Sequence, residues 1–331
     1  MTQDLHVVLG ATGGVGAALT RELVDRGLLC RAVSRSGGGG VPGAEPFAAD
    51  LTGPDALRAA VSGAAVVYHA AQPAYTRWAA EFPAMTRTVV DAAAAAGAKL
   101  VMVDNLYMYG AVPGGHGPGT AAGPLTERTP HRARGAKGRV RAAMAAELLD
   151  AHAAGRLRVT IGRLADYYGP GGVTSAVGAE LFEGALAGRT ATWFGSADHL
   201  HTFIHLPDAA HALVTLGTEA AADGRAWHLP SAPPLTPREF VGLVQRAAGA
   251  PERMRVVPAW AVRAAGIVNP MARELAELAY QVRAPFVVDH SAFDAQFGSA
   301  STQAPTPHET AVERTVAWFA DRRARDTARL P

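Results

Sequence analysis

The stretch Leu5 to Leu19, LHVVLGATGGVGAAL, restricts what this chain can fold into more than any other. Leu5 to Leu9 is an apolar run of strand length. It breaks at Gly10, and Gly13 and Gly16 come next before Ala17, Ala18, Leu19 and Leu23 resume helical spacing. Strand, glycine turn and helix entry in that order are the setting a dinucleotide site requires. The glycines let the backbone turn tightly, approach a pyrophosphate and pack helix against strand. The first N–H groups of the helix, with the positive end of its dipole, then face the phosphates. Gly10, Thr12, Gly13, Gly14, Val15 and Gly16 are therefore the expected phosphate-binding residues. Among 36 glycines the spacing alone is weak; its position after an N-terminal strand gives it weight.

Beyond this turn the chain reads as strands alternating with helices. Leu28 to Val33, Phe47 to Leu51, Ala64 to His69, Leu100 to Val103 and Val159 to Leu164 are predicted strands. Met85, Val89, Ala93 and Ala96 mark a helix that Gly97 stops, and another spans about Lys137 to Ala154 with Val140, Met144 and Leu148 on one face. Such alternation implies a parallel sheet covered on both faces. The second strand ends in Ser34-Arg35-Ser36, where an NAD-selective fold usually carries a carboxylate for the ribose 2′-hydroxyl. Two hydroxyls and a guanidinium suit a 2′-phosphate instead, so NADP(H) is expected ahead of NAD. A solvated Arg35 beside the Gly37–Gly40 run is the plainer alternative. Asp50, next to Leu51, is placed to accept from the adenine amino group or to cap the helix after it. Ala70 and Ala71 are small enough for a cofactor to pass close.

Composition narrows the class. With 331 residues, 49% of them hydrophobic and 18% charged, the chain is globular and large enough for a sizeable core. A net charge of +2 leaves no electrostatic footprint for nucleic acid or an anionic membrane. The locally basic Arg139–Arg141 stretch reads as the solvated face of a helix. A single cysteine, Cys30, fits a reducing compartment, and the acidic, short-cored N-terminus does not resemble a signal peptide. No apolar run reaches membrane-spanning length, so a cytoplasmic location is expected.

Four segments in fixed order resemble the extended or atypical short-chain dehydrogenase/reductases of the NAD-dependent epimerase/dehydratase superfamily. They are GATGGVG at 10–16, DNLYMYG at 104–110, RLADYYGPG at 163–171 and HTFIHLPDAAHAL at 201–213. The resemblance implies a Rossmann-type, doubly wound α/β fold. Residues 1–170, with return segments near 200–230, would bind the cofactor, and 171–331 would form mainly a smaller C-terminal substrate-binding lobe. Asp166 to Gly171 reads as a turn. In the lobe, Thr236-Pro237-Arg238-Glu239 is a capping box, with Leu235 set to staple to Phe240. Thr306-Pro307-His308-Glu309 repeats it, and Asn269-Pro270 opens a helix with Met271, Leu275, Leu278 and Val282 as its stripe. These stripes suit a core or a homodimer face equally.

The resemblance also locates the chemistry and a departure in it. The superfamily uses a Ser or Thr after the fifth strand and a Tyr four residues before a Lys. Here Asn105 stands for the hydroxyl residue and Ala133 for the Tyr, while Lys137 keeps the Lys. Tyr107 lies where related sugar dehydratases carry a catalytic Glu, and a phenol near Lys137 and the cofactor ring is expected to have a lowered pKa. Alternatively Lys137 acts alone, as resembles the isoflavone-reductase branch. Asn105 would hold a substrate oxygen as an amide donor. Tyr107 as packing and Lys137 as a ribose ligand only are the plain alternatives.

On the substrate side, superfamily members that take nucleotide sugars carry an Asn and an Arg where this chain has Asp166 and His201. A carboxylate beside a diphosphate costs on the order of 1 kcal/mol, which disfavours such substrates. Asp104, Asp166, Tyr167, Trp193 and His201 are the expected substrate contacts, with Phe194, Tyr75 and Trp78 as further walls. His199, His201 and His205 fall on one predicted strand face, but the lack of matching cysteines argues against a metal. The sequence thus implies an NADP(H)-dependent oxidoreductase acting on a carbonyl or activated double bond of a largely apolar, non-nucleotide small molecule. A redox-neutral epimerase or lyase, or a non-catalytic NADP(H)-sensing regulator, is the alternative.

Overall fold

In a computed structural model, residues 4–38, 40–258, 260–261, 264, 276–298 and 303–328 are described. Seven parallel strands form one sheet in the order β10-β6-β5-β4-β1-β2-β3. They are β1 (Leu5–Leu9), β2 (Leu29–Ser34), β3 (Glu45–Ala48), β4 (Ala64–His69), β5 (Lys99–Asp104), β6 (Val159–Arg163) and β10 (Ala226–His228). The order reverses between β1 and β4, which is the switch point beyond which an open α/β sheet binds ligands.

Side-chain alternation divides the core between the two faces. Val7 and Leu9, Val67, and Leu100 and Met102 point to the side covered by α2 (Pro54–Ala60), α3 (Trp78–Ala95) and α4 (Ala136–Ala153). Val8, Val66, Tyr68 and Val101 point to the other, covered by α1 (Gly14–Asp25) and α6 (Leu206–Thr218). The chain returns to that second face late: Phe293 and Phe297 of α8 (Ser291–Phe297) close on Trp227 of β10. A third core joins α5 (Ala179–Leu186), α7 (Pro237–Ala247) and α9 (His308–Thr327), with Phe182 stacked on Phe319 at 5.3 Å. Beside it β8 (Ala191–Phe194) pairs with β11 (Met254–Val257).

Several local expectations change. The third strand ends at Ala48, because the Asp50 carboxylate accepts from the N–H and hydroxyl of Thr52 and turns the chain toward α2. Helix α3 begins at Trp78, well before Met85, and carries Pro83 inside it. Asp166–Tyr168 is not a turn but a short strand, β7, paired in parallel with β9 (Phe203–His205). The capping box at Thr236 forms as expected. The second does not: Thr306 gives its N–H and hydroxyl to the buried carboxylate of Asp208, and α9 starts from Pro307 without a side-chain cap. Of the stripe expected after Asn269-Pro270, Met271 and Leu275 lie outside the described residues; Leu278 and Val282 are half-buried.

Candidate functional site

The carboxyl ends of β1, β4, β5 and β6 open together into a cleft of ≈ 1540 Å³, lined on its far side by residues of α5, β8 and the stretch 278–286. The turn after β1 is built for close approach. Gly10 has φ +85°, and a Cβ there would lie 2.7 Å from the Ala71 Cα. The turns after β1 and β4 can touch only because both lack side chains of any size. A Cβ at Gly16 would press into the Gly10 carbonyl oxygen. Helix α1 therefore enters directly behind the strand, and its first N–H groups, at Gly14, Val15 and Gly16, have no partner within the helix.

Gly10, Thr12, Gly13, Gly14, Val15, Ser34, Arg35, Asp50, Leu51, Ala70 and Ala71 all line this half of the cleft. Ser34 is buried with its hydroxyl on the Gly38 carbonyl, 3.4 Å away, whereas Arg35 stands exposed at the rim. Arg35 is near enough to help hold the Asp50 carboxyl below its ordinary range, after the two Thr52 hydrogen bonds that do most of this.

At the other end Asn105 comes directly after β5. Its Oδ1 accepts the Tyr107 N–H at 3.0 Å, so the amide group left to face the cleft is a donor. Tyr107 and Tyr75 both line the cleft, and both are half-buried. Tyr107 stacks on Trp78 with 6.0 Å between ring centroids. The lowered phenol pKa expected at Tyr107 is not what the structure gives. Burial, followed by Tyr75 and Asp166, pushes it well above its ordinary value, and a buried Arg141 only partly offsets this. Desolvation outweighs a neighbouring cation when the charge to be formed is itself enclosed.

Lys137 lies in the first turn of α4 and is 5% exposed. Its backbone N–H donates to Glu277 Oε1 at 2.9 Å, and its ammonium lies 4.3 Å from the centroid of the Tyr75 ring. Burial lowers the lysine pKa, with Glu277 opposing. Ala133 runs along the turn at Tyr107–Tyr109, its N–H donating to the Met108 carbonyl, and its methyl abuts Gly138 of α4.

Asp104, expected as a substrate contact, lines the cleft. Its carboxylate is 3% exposed and pairs with Arg141 at 3.2 Å and Arg163 at 3.6 Å, while also taking the Asn105 N–H. It braces the strand end that carries Asn105. Arg141 corrects a second expectation, since it is not part of a solvated face. The Arg141 guanidinium is buried between Trp78 and Phe82, 4.6 and 4.4 Å from their ring centroids. Its place four residues after Lys137, on the same helix face, was the available signal. Ala279, Gln281 and Phe286, which also line the cleft, come from a stretch with no motif to mark them.

Asp166 lines the cleft, and His201 stands behind it with Nε2 2.9 Å from Asp166 Oδ2. The imidazole is held between Phe203 and Phe286. Tyr167, Trp193, Phe194 and Trp78 complete the aromatic walls. The three histidines do not share a strand face, because β9 covers only 203–205 and His199 is exposed. Among the described residues no group of three metal-ligating side chains occurs, and no helix is long and apolar enough to cross a membrane.

The model of the NAD dependent epimerase/dehydratase family matches residues 6–229. Among curated proteins none matches significantly. A dTDP-glucose 4,6-dehydratase of Streptomyces venezuelae, solved with NAD bound, superposes with a TM-score of 0.77 at 17% identity, covering 97% of this chain and 98% of that one. A UDP-glucose 4-epimerase of Thermotoga maritima, solved with UDP-glucose, gives 0.76 at 16% identity over 96% and 99%. A dTDP-glucose 4,6-dehydratase of Bacillus anthracis, in complex with NAD, gives 0.75 at 15% over 96% and 97%. At such identities the likeness concerns the fold.

Proposed function

The chain belongs to the NAD dependent epimerase/dehydratase family, and from that premise we propose that it is an NADP(H)-dependent oxidoreductase. Its substrate is a small, non-nucleotide molecule with a largely apolar or aromatic body, reduced at a carbonyl or activated double bond. One observation carries this reading. A single cleft joins a glycine cradle at one end to the Asn105 amide and two phenols at the other.

The cradle suits a dinucleotide because Gly10 and Gly16, where a Cβ would meet backbone, let the end of β1, the turn after β4 and the opening of α1 pack closely, so that the first N–H groups of the helix come to the cleft. Gly14, Val15 and Gly16 would hold the diphosphate through their N–H groups. Arg35 would pair with a 2′-phosphate, and Ala70 and Ala71 would let the ribose pass. The bound nicotinamide supplies or takes a hydride. The chain's own part is to hold the substrate oxygen by the Asn105 donor, to provide a phenol proton, and to exclude water with Trp78, Tyr167, Trp193 and Phe194. Lys137 contributes positive charge behind the phenols. The Asp166 carboxylate disfavours a diphosphate-bearing substrate by about 1 kcal/mol.

Mixing the protein with NADPH and a panel of aryl aldehydes, ketones and enones tests the reading. Consumption of the reduced cofactor with formation of the alcohol or saturated product is expected. Product formed with no net cofactor consumption would favour an epimerase or lyase, the activities that the structurally similar proteins carry in their names. Cofactor binding without any turnover would leave an NADP(H)-sensing protein.

A further inference from the structure

The chain has no tyrosine at position 133, yet a phenol does reach Lys137 from the segment after β4. Tyr75 starts the short 3-10 turn Tyr75–Arg77 after β4, so its approach is from the sheet's neighbouring strand and not from α4. We propose that the Tyr75 hydroxyl is the group that gives its proton to the substrate oxygen, an assignment that rests on the carbonyl-reducing reading above.

Three observations converge on it. The Tyr75 ring lies over the Lys137 ammonium at 4.3 Å, the geometry of a cation–π contact. Tyr75 lines the cleft together with Asn105, whose amide is the other donor a carbonyl oxygen would meet. Burial raises the Tyr75 pKa to about 12 against the lowering effect of Tyr107, so the phenol is protonated throughout the neutral range. It suits donation, and so reduction, better than proton abstraction from an alcohol.

In the balanced step, the carbonyl carbon gains the hydride of the reduced dinucleotide and the C=O π pair moves to oxygen. That oxygen takes the Tyr75 proton to give the alcohol. The phenolate of Tyr75 recovers its proton from solvent once the alcohol has left the cleft.

A test that needs no turnover uses 4-(dimethylamino)cinnamaldehyde with the protein and oxidised NADP. The absorption band of this aldehyde moves to longer wavelength when its carbonyl oxygen accepts a strong hydrogen bond. The red shift is expected with the wild-type protein, lost in Tyr75→Phe and kept in Tyr107→Phe. Phenylalanine keeps the ring over Lys137 and removes only the hydroxyl, so the fold and NADP affinity should be unchanged. A shift that survives in Tyr75→Phe, or disappears in Tyr107→Phe alone, overturns the assignment. With NADPH in place of oxidised NADP, the wild type should consume the aldehyde, and Tyr75→Phe should do so about 100-fold more slowly. An aldehyde that is shifted by the wild type through Tyr75 but never reduced would keep the donor and remove the reductase reading.

Discussion

His201 Nε2 lies 2.9 Å from Asp166 Oδ2, so the carboxylate that faces the cleft is anchored from behind by an imidazole that is itself 3% exposed. The pair fixes a negative group beside the aromatic walls. If Asp166 is what turns away nucleotide sugars, Asp166→Asn should bind UDP about 5-fold more tightly than the wild type, the equivalent of about 1 kcal/mol. Calorimetric titration of both proteins with UDP checks this. Equal affinities would mean the carboxylate does not set substrate class.

Arg35 is the exposed cation at the rim of the cofactor half. Arg35→Ala should weaken NADP(H) binding by about 10-fold or more, as expected for a lost hydrogen bond to a charged group, and leave NAD(H) within about 2-fold. Fluorescence titration with NADPH and NADH separates the two. Equal weakening of both would remove the 2′-phosphate contact.

Gly16 touches the Gly10 carbonyl across the turn. Gly16→Ala should cost about 1–3 kcal/mol through overpacking, and should also abolish the rise in melting temperature on adding NADP. A variant that is stabilised by NADP like the wild type would place the dinucleotide elsewhere.

Asp104 holds two buried guanidinium groups. Asp104→Asn leaves both without their countercharge, and a loss of about 3–5 kcal/mol in urea denaturation is expected. A loss below about 1 kcal/mol would show that the pair stabilises little.

His69 is fully buried at the end of β4, with Nε2 3.2 Å from Thr86 Oγ1. Burial, and then Arg141, pushes its pKa down to about 3. The unfolded chain takes up a proton at the ordinary histidine value of 6.5 and the folded one does not. The site is therefore neutral for stability above that value, and stability falls by about 1.4 kcal/mol per pH unit below it. His69→Leu should reduce the acid-side slope of unfolding free energy by close to one proton. An unchanged slope would show that His69 does not titrate on unfolding.

Much of the sheet was legible because its strands are short apolar runs punctuated by glycine: Leu5–Leu9 and Ala64–His69 coincide with the strands as built. Where polar side chains redirect the backbone, periodicity misleads. Asp50 ends β3 early through Thr52, and Asp208 takes Thr306 away from its helix. The capping box at Thr236 forms because all its partners lie within one turn. Of the site, the glycine turn after β1 could be found from spacing, since a tight passage from strand into helix is a local property. The environment of the phenols could not. The pKa of Tyr107 is set by burial and by Tyr75, which lies far earlier in the chain, and Arg141 reads as an ordinary helix cation until Asp104 and Trp78 are brought against it.

The amino-acid order by itself determined the parallel α/β sheet and the glycine turn between β1 and α1, and it puts Asn105 and Ala133 where the family resemblance implies a hydroxyl residue and a tyrosine. Local patterns of apolarity and glycine are enough for the first two. Only the tertiary structure decided that Asp104 faces two arginines, that His201 backs Asp166, and that a phenol from the loop after β4 covers Lys137. Each is a contact between segments far apart in the chain, chosen by which charges can be desolvated together, and no local pattern encodes that choice.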